Sequence, residues 1–262
     1  MQRYNKLLGQ HFIYDREVLD KIIDTVTSVK GKHIFEIGAG SGTLSAAILL
    51  REPASLMSVE KDKRFSESLS SLMAQYQNYK YTIGDALLIR LSSLYKQEKV
   101  TIIANLPYNI ATHLLLGWMN ELEHIREMVL MFQKEVADRI CAQPKSKSYG
   151  TLSVLVQLEC KVESQFTLAP EVFTPPPKVT STVLKLTPLE KKWPRNKPVL
   201  EKILTEGFSQ RRKMIKKSLS RVFKDSEALH FALAHAGASP TMRIEELNPE
   251  QLCKLSCMAE MN

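Results

Sequence analysis

Cysteine is scarce in this chain: Cys141, Cys160, Cys253 and Cys257 serve 262 residues. That is too few for a disulfide framework. Cys253 and Cys257 stand one helical turn apart, but no histidine lies at a matching spacing. No metal site is expected, and the thiols read as reduced and packed, as in a cytoplasmic protein. Long apolar runs are missing as well. None approaches the roughly 18 residues of a membrane span, so no membrane partner is expected. The start, Met1-Gln2-Arg3-Tyr4-Asn5-Lys6, lacks the apolar centre of a signal peptide. No internal repeat is visible. What remains has an ordinary apolar fraction and is long enough for one large domain and a small one.

Acidic residues are nearly absent from one stretch. Residues 191–224 hold twelve lysines and arginines against Glu201 and Glu206, a net +10 in a chain whose total is +8. The rest of the chain is therefore slightly acidic. Positive charge this local reads as a nucleic-acid footprint rather than a uniformly solubilised surface.

Strand and helix patterns alternate through the first two-thirds of the chain. Strands are expected at 33–37, 56–59, 80–83, 100–104 and 127–132, with helices near 43–50, 62–76, 111–120 and 133–141. This order predicts a doubly wound parallel sheet. A further helix is expected at 151–159, and strands at 162–167 and 179–186 joined through Phe173-Thr174-Pro175-Pro176-Pro177-Lys178. Three consecutive prolines make that link stiff and extended. After Pro188 the strand pattern stops. One long helix is expected over 199–223, with Leu200, Leu204, Phe208, Ile215, Leu219 and Val222 on its apolar face. Lys213, Lys216, Lys217 and Arg221 fall away from that face, whereas Arg211 falls near it and reads as a paired, structural arginine. Short helices are expected at 226–236 and 248–259, the latter capped by Asn248. The chain is thus divided into domains 1–190 and 191–262.

The first strand closes on Phe35-Glu36-Ile37-Gly38-Ala39-Gly40-Ser41-Gly42. Glycines here allow a tight turn and close approach to a ligand. The spacing is Gly-x-Gly-x-Gly, not the Gly-x-Gly-x-x-Gly of dinucleotide enzymes, and Glu36 just before it is expected to face a cationic ligand. Both details favour S-adenosylmethionine, whose sulfonium and amino groups are positive, over a nicotinamide cofactor. Glu60 ends the second strand about 20 residues beyond the turn, where a carboxylate can accept from both ribose hydroxyls. Asp85, after the third strand, is placed to accept from the cofactor's adenine amine. Gln10-His11 reads as a backbone clasp over the cofactor.

The fourth strand runs into Asn105-Leu106-Pro107-Tyr108. The exocyclic amine of an adenine can hydrogen-bond to the Asn side-chain oxygen and an adjacent backbone carbonyl. Pro107 has no N–H donor, so the turn presents acceptors. Tyr108 offers a flat face for a base. Such a turn suits methyl transfer to adenine N6.

With these segments the chain resembles the ribosomal RNA adenine N6-dimethyltransferases, and within them the bacterial small-subunit dimethyladenosine transferases. The matching stretches are Leu8-Gly9-Gln10-His11-Phe12, Glu36 to Gly40, Val59-Glu60, Gly84-Asp85-Ala86, Asn105 to Ile110, Gln133 to Val136, Ser148 to Ser153, Phe173 to Val179, Gln210 to Lys213 and Pro240 to Arg243. The resemblance implies a Rossmann-like α/β domain that binds S-adenosylmethionine, followed by a small all-helical domain that holds RNA. It implies cofactor contacts at His11, Ile13, Gly38, Gly40, Glu60, Asp85 and Asn105. It places Asn105, Leu106, Pro107, Tyr108 and Phe173 around the target adenine, with Tyr108 and Phe173 as a base clamp. RNA contacts are expected at Lys178, Arg212, Lys213, Lys216, Lys217 and Arg221. The implied reaction dimethylates two adjacent adenosines of small-subunit ribosomal RNA, by a monomer acting on the small ribosomal subunit. Alternatives are the related large-subunit dimethyltransferases of macrolide resistance and a ribosome-assembly factor whose methylation is incidental. Ala39 replaces a proline common in the family, and His11 stands where many members have asparagine.

Overall fold

A computed structural model of the chain describes residues 10–95, 98–190 and 193–259. The start at Met1 to Lys6, Leu8 and Gly9 of the first motif, and Lys191 and Lys192 of the basic segment lie outside the described residues. The chain forms two compact units. The first comprises residues 1–137 and 161–188, the second residues 138–160 and 189–262.

In the first unit the strands are β1 (Phe12–Ile13), β2 (His33–Ile37), β3 (Ser55–Glu60), β4 (Tyr79–Ile83), β5 (Val100–Asn105), β6 (Ile125–Gln133), β7 (Cys160–Leu168), β8 (Phe173–Thr174) and β9 (Ser181–Pro188). Between them run helices α1 (Arg16–Ile23), α2 (Thr43–Leu49), α3 (Ser66–Gln75), α4 (Leu91–Leu94), α5 (Ala111–Trp118) and the first turn of α6 (Lys134–Cys141), whose residues from Asp138 belong to the second unit. Seven strands form one sheet in the order β4-β3-β2-β5-β6-β9-β7. β2 pairs in parallel with β3 and β5, as do β3 with β4 and β5 with β6, while β9 runs antiparallel to β6. The central strands are apolar runs because helices cover both faces; Ile34, Phe35, Ile37, Ile102 and Ile103 are all buried.

The sequence order of the strands reverses between β2 and β5. In such sheets ligands bind in the crevice beyond the strands' carboxyl ends at this switch point. The ends of β2, β3, β4 and β5 are where Gly38, Glu60, Asp85 and Asn105 were expected to act. A second ladder pairs β1 with β8, Ile13 opposite Phe173, and so ties the 10–13 segment to the proline-rich link.

The second unit is helical: α7 (Thr151–Gln157), α8 (Lys197–Ser209), α9 (Ile215–Ser218), α10 (Ser226–His235) and α11 (Pro249–Met258). Two expectations are corrected here. The boundary near 190 captures only part of the unit, because residues 138–160 also belong to it. Tyr149, Val154 and Leu158 share a core with Leu200, Ile203, Leu204 and Leu255, and the Tyr149 hydroxyl donates to the Leu247 carbonyl at 2.9 Å. The expected helix over 199–223 is also broken. α8 stops at Ser209, and 210–214 turns before the short α9.

Tertiary contacts override the helical pattern at that break. Met214 forms an antiparallel bridge with Arg243, and the Ile215 N–H donates to the Met242 carbonyl at 2.7 Å. Gly207 lies against Ile244 so closely that a Cβ would fall 2.6 Å from it. The apolar set nonetheless packs inward: Leu200, Leu204, Ile215, Leu219 and Val222 are buried and Phe208 is half-buried. Arg211 pairs with Glu245 and donates to the Lys147 and Ser146 carbonyls, which is the paired arginine the sequence points to.

Candidate active site

A cleft opens at the switch point of the first unit, with about 780 Å³ of empty space counting its mouth. Eight of the residues singled out in the sequence line it: His11, Gly38, Glu60, Asp85, Asn105, Leu106, Pro107 and Tyr108. Each sits at or just beyond a strand end, or on the segment leading into β1. Gly38 has φ +76°, a left-handed backbone that favours glycine.

The carboxylates are held from the backbone. Glu60 accepts the Gly40 N–H on Oε2 and the Asp62 N–H on Oε1, each at 2.8 Å. Burial raises its carboxyl above the ordinary range, and those backbone donors oppose the rise. Gly40 therefore contributes by fixing Glu60 rather than by lining the cleft. A side chain there is excluded, since a Cβ would lie 2.4 Å from the Phe12 ring. Asp85 accepts the Leu87 N–H at 3.0 Å and meets the Lys61 ammonium at 2.7 Å. The Lys61 hydrogen bond is the main cause that lowers the Asp85 carboxyl.

The Asn105 amide nitrogen donates to the His11 carbonyl at 2.7 Å. A carbonyl only accepts, so the amide orientation follows from that partner, and Oδ1 is left as an acceptor. Tyr108 stacks on the His11 ring, with centroids 5.5 Å apart and planes 28° apart. Its hydroxyl lies 2.5 Å from the buried Ser181 Oγ. The His11 Nδ1 lies 2.7 Å from the Pro175 carbonyl, which assigns the ring proton to Nδ1. His11 thus acts through both its backbone and its ring, where the sequence pointed only to a backbone clasp.

Three expected members are not in the cleft lining. Ile13 is a core residue whose carbonyl accepts from the Thr43 hydroxyl at 3.1 Å. Gly40 stands behind Glu60. Phe173 is 2% exposed and packs in the core with Ile13, Leu168 and Val183. Glu36 departs from its expected place. Its side chain turns away from the cleft and accepts from Ser45 and Ser58 at 2.5 and 2.6 Å. The alternation of β2 is the reason: Ile37 and Gly38 line the cleft, and Glu36 points under α2.

Lys61 and Ser181 were missed. Lys61 follows Glu60 directly, and its link to Asp85 spans 24 positions. Ser181 begins β9, 73 positions from its partner Tyr108. No local pattern signals either pairing. Among the RNA candidates, Lys178 is exposed in the first unit. Arg212, Lys213, Lys216, Lys217 and Arg221 are exposed in the second. Among the described residues no cluster of three or more potential ligands could hold a metal ion, and no helix is long and apolar enough to cross a membrane.

The donor set fits S-adenosylmethionine. Glu60, each of whose oxygens accepts one backbone N–H, keeps further lone pairs in the cleft, Asp85 offers an acceptor at the next strand end, and Gly38 a side-chain-free floor. Comparison with known proteins agrees. The family model for ribosomal RNA adenine dimethylase matches residues 1–260. A ribosomal RNA small subunit methyltransferase A from Neorickettsia sennetsu is 92% identical, over all of both chains. A protein of the same name from Anaplasma marginale is 42% identical over 96% of this chain and 92% of its own length. Among solved structures, a dimethyladenosine transferase from Plasmodium falciparum superposes with a TM-score of 0.81 at 25% identity, covering 94% of this chain and 96% of that one. The 23S rRNA methyltransferase ErmE, at 23% identity and a TM-score of 0.72 over 95% of this chain and 99% of its own, shares the fold. With a family model spanning nearly its whole length and curated relatives at these identities, the chain belongs to the ribosomal RNA adenine dimethylase family.

Proposed function

We propose that this chain dimethylates the N6 amines of two adjacent adenosines in small-subunit ribosomal RNA, with S-adenosylmethionine as donor. One observation carries the reading. The acceptor-rich turn Asn105 to Tyr108 shares a single cleft with Glu60 and Asp85. This supports base recognition and cofactor recognition in one crevice beyond the carboxyl ends of β3, β4 and β5. The relatives' names, which specify the small subunit, support that substrate over large-subunit RNA.

S-adenosylmethionine supplies, when bound, a methyl group on a positively charged sulfur. Asn105 Oδ1 accepts one N6 hydrogen and aims the nitrogen lone pair along the line of attack. Tyr108, fixed by Ser181, presents its ring to the extruded base. Glu60 and Asp85 would hold the donor, which would supply its methyl to the Asn105-held N6 and keep the carbon–sulfur electron pair on sulfur. The product nitrogen sheds its proton to water, so no general base is needed. The exposed cations of the second unit hold the RNA by its phosphates, and the protein works as a monomer in the cytoplasm.

The test is direct. Small subunits from cells lacking the modification are incubated with the protein and labelled cofactor, and nucleosides are identified by mass spectrometry. N6,N6-dimethyladenosine at two neighbouring positions supports the reading; no label in the small-subunit RNA, or label on a base other than adenosine, overturns it.

A further inference from the structure

Gln10, His11 and Phe12 all line the cleft, and each is tied to a different part of its wall. The Gln10 side-chain amide donates to Asp62 Oδ2 at 2.9 Å, just beyond β3. The His11 carbonyl accepts the Asn105 amide at 2.7 Å, and its ring stacks on Tyr108, at the end of β5 and beyond it. The Phe12 ring meets Phe65 edge-on, with centroids 5.4 Å apart. β1 begins at Phe12, so Gln10 and His11 lie ahead of its ladder with β8. Side-chain ties, rather than strand pairing, hold them.

Asp62 is the partner that stands out. It is 7% exposed. Its Oδ1 caps the turn Lys63–Phe65, accepting the Arg64 N–H at 3.1 Å and the Arg64 Nε at 2.9 Å. Capping accounts for Oδ1. It does not account for Oδ2, which accepts from Gln10 across 52 positions of sequence as well as from the Arg64 guanidinium. The Asp62 backbone N–H donates in turn to Glu60 Oε1 at 2.8 Å. One residue thus touches both Glu60 and the segment whose next carbonyl fixes the Asn105 amide. Arg64 also keeps the Asp62 carboxyl ionised, and so an acceptor, at neutral pH.

We infer that Asp62 is a positioning residue for methyl transfer: its N–H sets Glu60, and its carboxylate latches Gln10 and so, through His11, sets Asn105. Donor and target amine are thereby aligned from one point. The inference rests on the reading that Glu60 holds the cofactor and Asn105 the adenine. Releasing Gln10 frees the His11 carbonyl to shift, and the Asn105 amide loses the partner that orients it. Glu60 keeps both of its backbone donors. The loss therefore falls on the rate of transfer and not on cofactor affinity, because the line of attack is the sensitive quantity.

The experiment exchanges donor and acceptor across the latch in the full chain. Gln10→Glu sets a second carboxylate against Asp62 and opens it by repulsion. Asp62→Asn added to Gln10→Glu restores one amide and one carboxylate with the roles reversed and the net charge unchanged. Single-turnover transfer to unmodified small subunits at saturating cofactor should fall about tenfold or more in Gln10→Glu. It should return to within about threefold of wild type in the double variant. S-adenosylmethionine affinity by calorimetry should stay within about threefold throughout. Amide exchange of residues 10–13 should quicken in Gln10→Glu and slow again in the double variant.

If Asp62→Asn folds poorly, Gln10→Ala leaves the Asp62–Arg64 cap intact and should show the same loss of rate at an unchanged melting temperature. A wild-type rate in Gln10→Glu or Gln10→Ala overturns the inference. So does a folded double variant no faster than Gln10→Glu, or a loss of cofactor affinity as large as the loss of rate. Wild-type protein that transfers no methyl group would instead overturn the proposed function, and unchanged amide exchange in Gln10→Glu would still show that no latch exists.

Discussion

The two units of this molecule treat charge in opposite ways. In the first, Glu36, Glu60 and Asp62 are buried. Glu36 is held by hydroxyls, Glu60 by backbone N–H groups, and Asp62 by Arg64, which draws its carboxyl down to about 2. In the second, Arg212, Lys213, Lys216, Lys217 and Arg221 stand exposed. Where cations there are less exposed, as at Arg195 with Glu159 and Arg211 with Glu245, they are paired. On the proposed reading, cofactor chemistry in the first unit depends on where each group sits, and RNA binding by the second depends on how many charges face outward. Single substitutions should break the first function, whereas the second should yield only to several at once.

The largest expected effect separates packing from chemistry within the first unit. Phe173→Ala should cost about 3–5 kcal/mol of stability, the price of a cavity in a packed core, read as a sharp fall in melting temperature. A folded variant of normal stability with lost turnover would instead return Phe173 to the base clamp that its sequence context implies. Glu60→Ala should follow, weakening S-adenosylmethionine binding by about 1–3 kcal/mol through loss of a charged acceptor. Unchanged affinity by calorimetry in the folded variant would remove Glu60 from the cofactor site.

In the second unit, Lys213, Lys216 and Lys217 replaced together by Gln should lower the salt dependence of RNA binding, each lost phosphate contact by roughly 0.7–0.9 of a log unit per log unit of salt. Cofactor affinity should stay as it was. An unaltered slope would reduce these lysines to a solvated surface and dissolve the contrast between the units. The smallest effect belongs to Ser181→Ala. Loss of its bond to the Tyr108 hydroxyl should cost about 0.5–1.5 kcal/mol in turnover with RNA affinity retained. Unchanged turnover would show that Tyr108 needs no such anchor.

Most of the first unit was legible because parallel strands announce themselves as short apolar runs and place their functional groups at their ends. Glu60, Asp85 and Asn105 follow from that rule alone. Glu36 was misread because strand alternation turned it under α2, where Ser45 and Ser58 receive it. The burial of Phe173 was not legible because the β1–β8 ladder, two residues long on each side, is too short to show in sequence. In the second unit the apolar spacing correctly identified the inward residues but not the break at 210–214. Arg211 and Met214 find their partners at Glu245 and Arg243, contacts that no local pattern contains. The boundary near 190 differs for a similar reason, since α7 reads like any helix of an alternating fold and joins the other core through Val154 and Leu155, with Leu158 just past its end.

The most direct test of this division measures both functions on one preparation of Asn105→Ala. The variant removes the amine acceptor, and with it the bond that holds the 10–13 segment through His11. Misplaced attack geometry costs about 100-fold or more in rate. Single-turnover methyl transfer to unmodified small subunits should therefore fall by about that factor, while the RNA dissociation constant measured alongside stays within about twofold. Turnover within about tenfold of wild type, a difference under about 1.4 kcal/mol, or a loss of RNA affinity matching the loss of rate, would contradict the account.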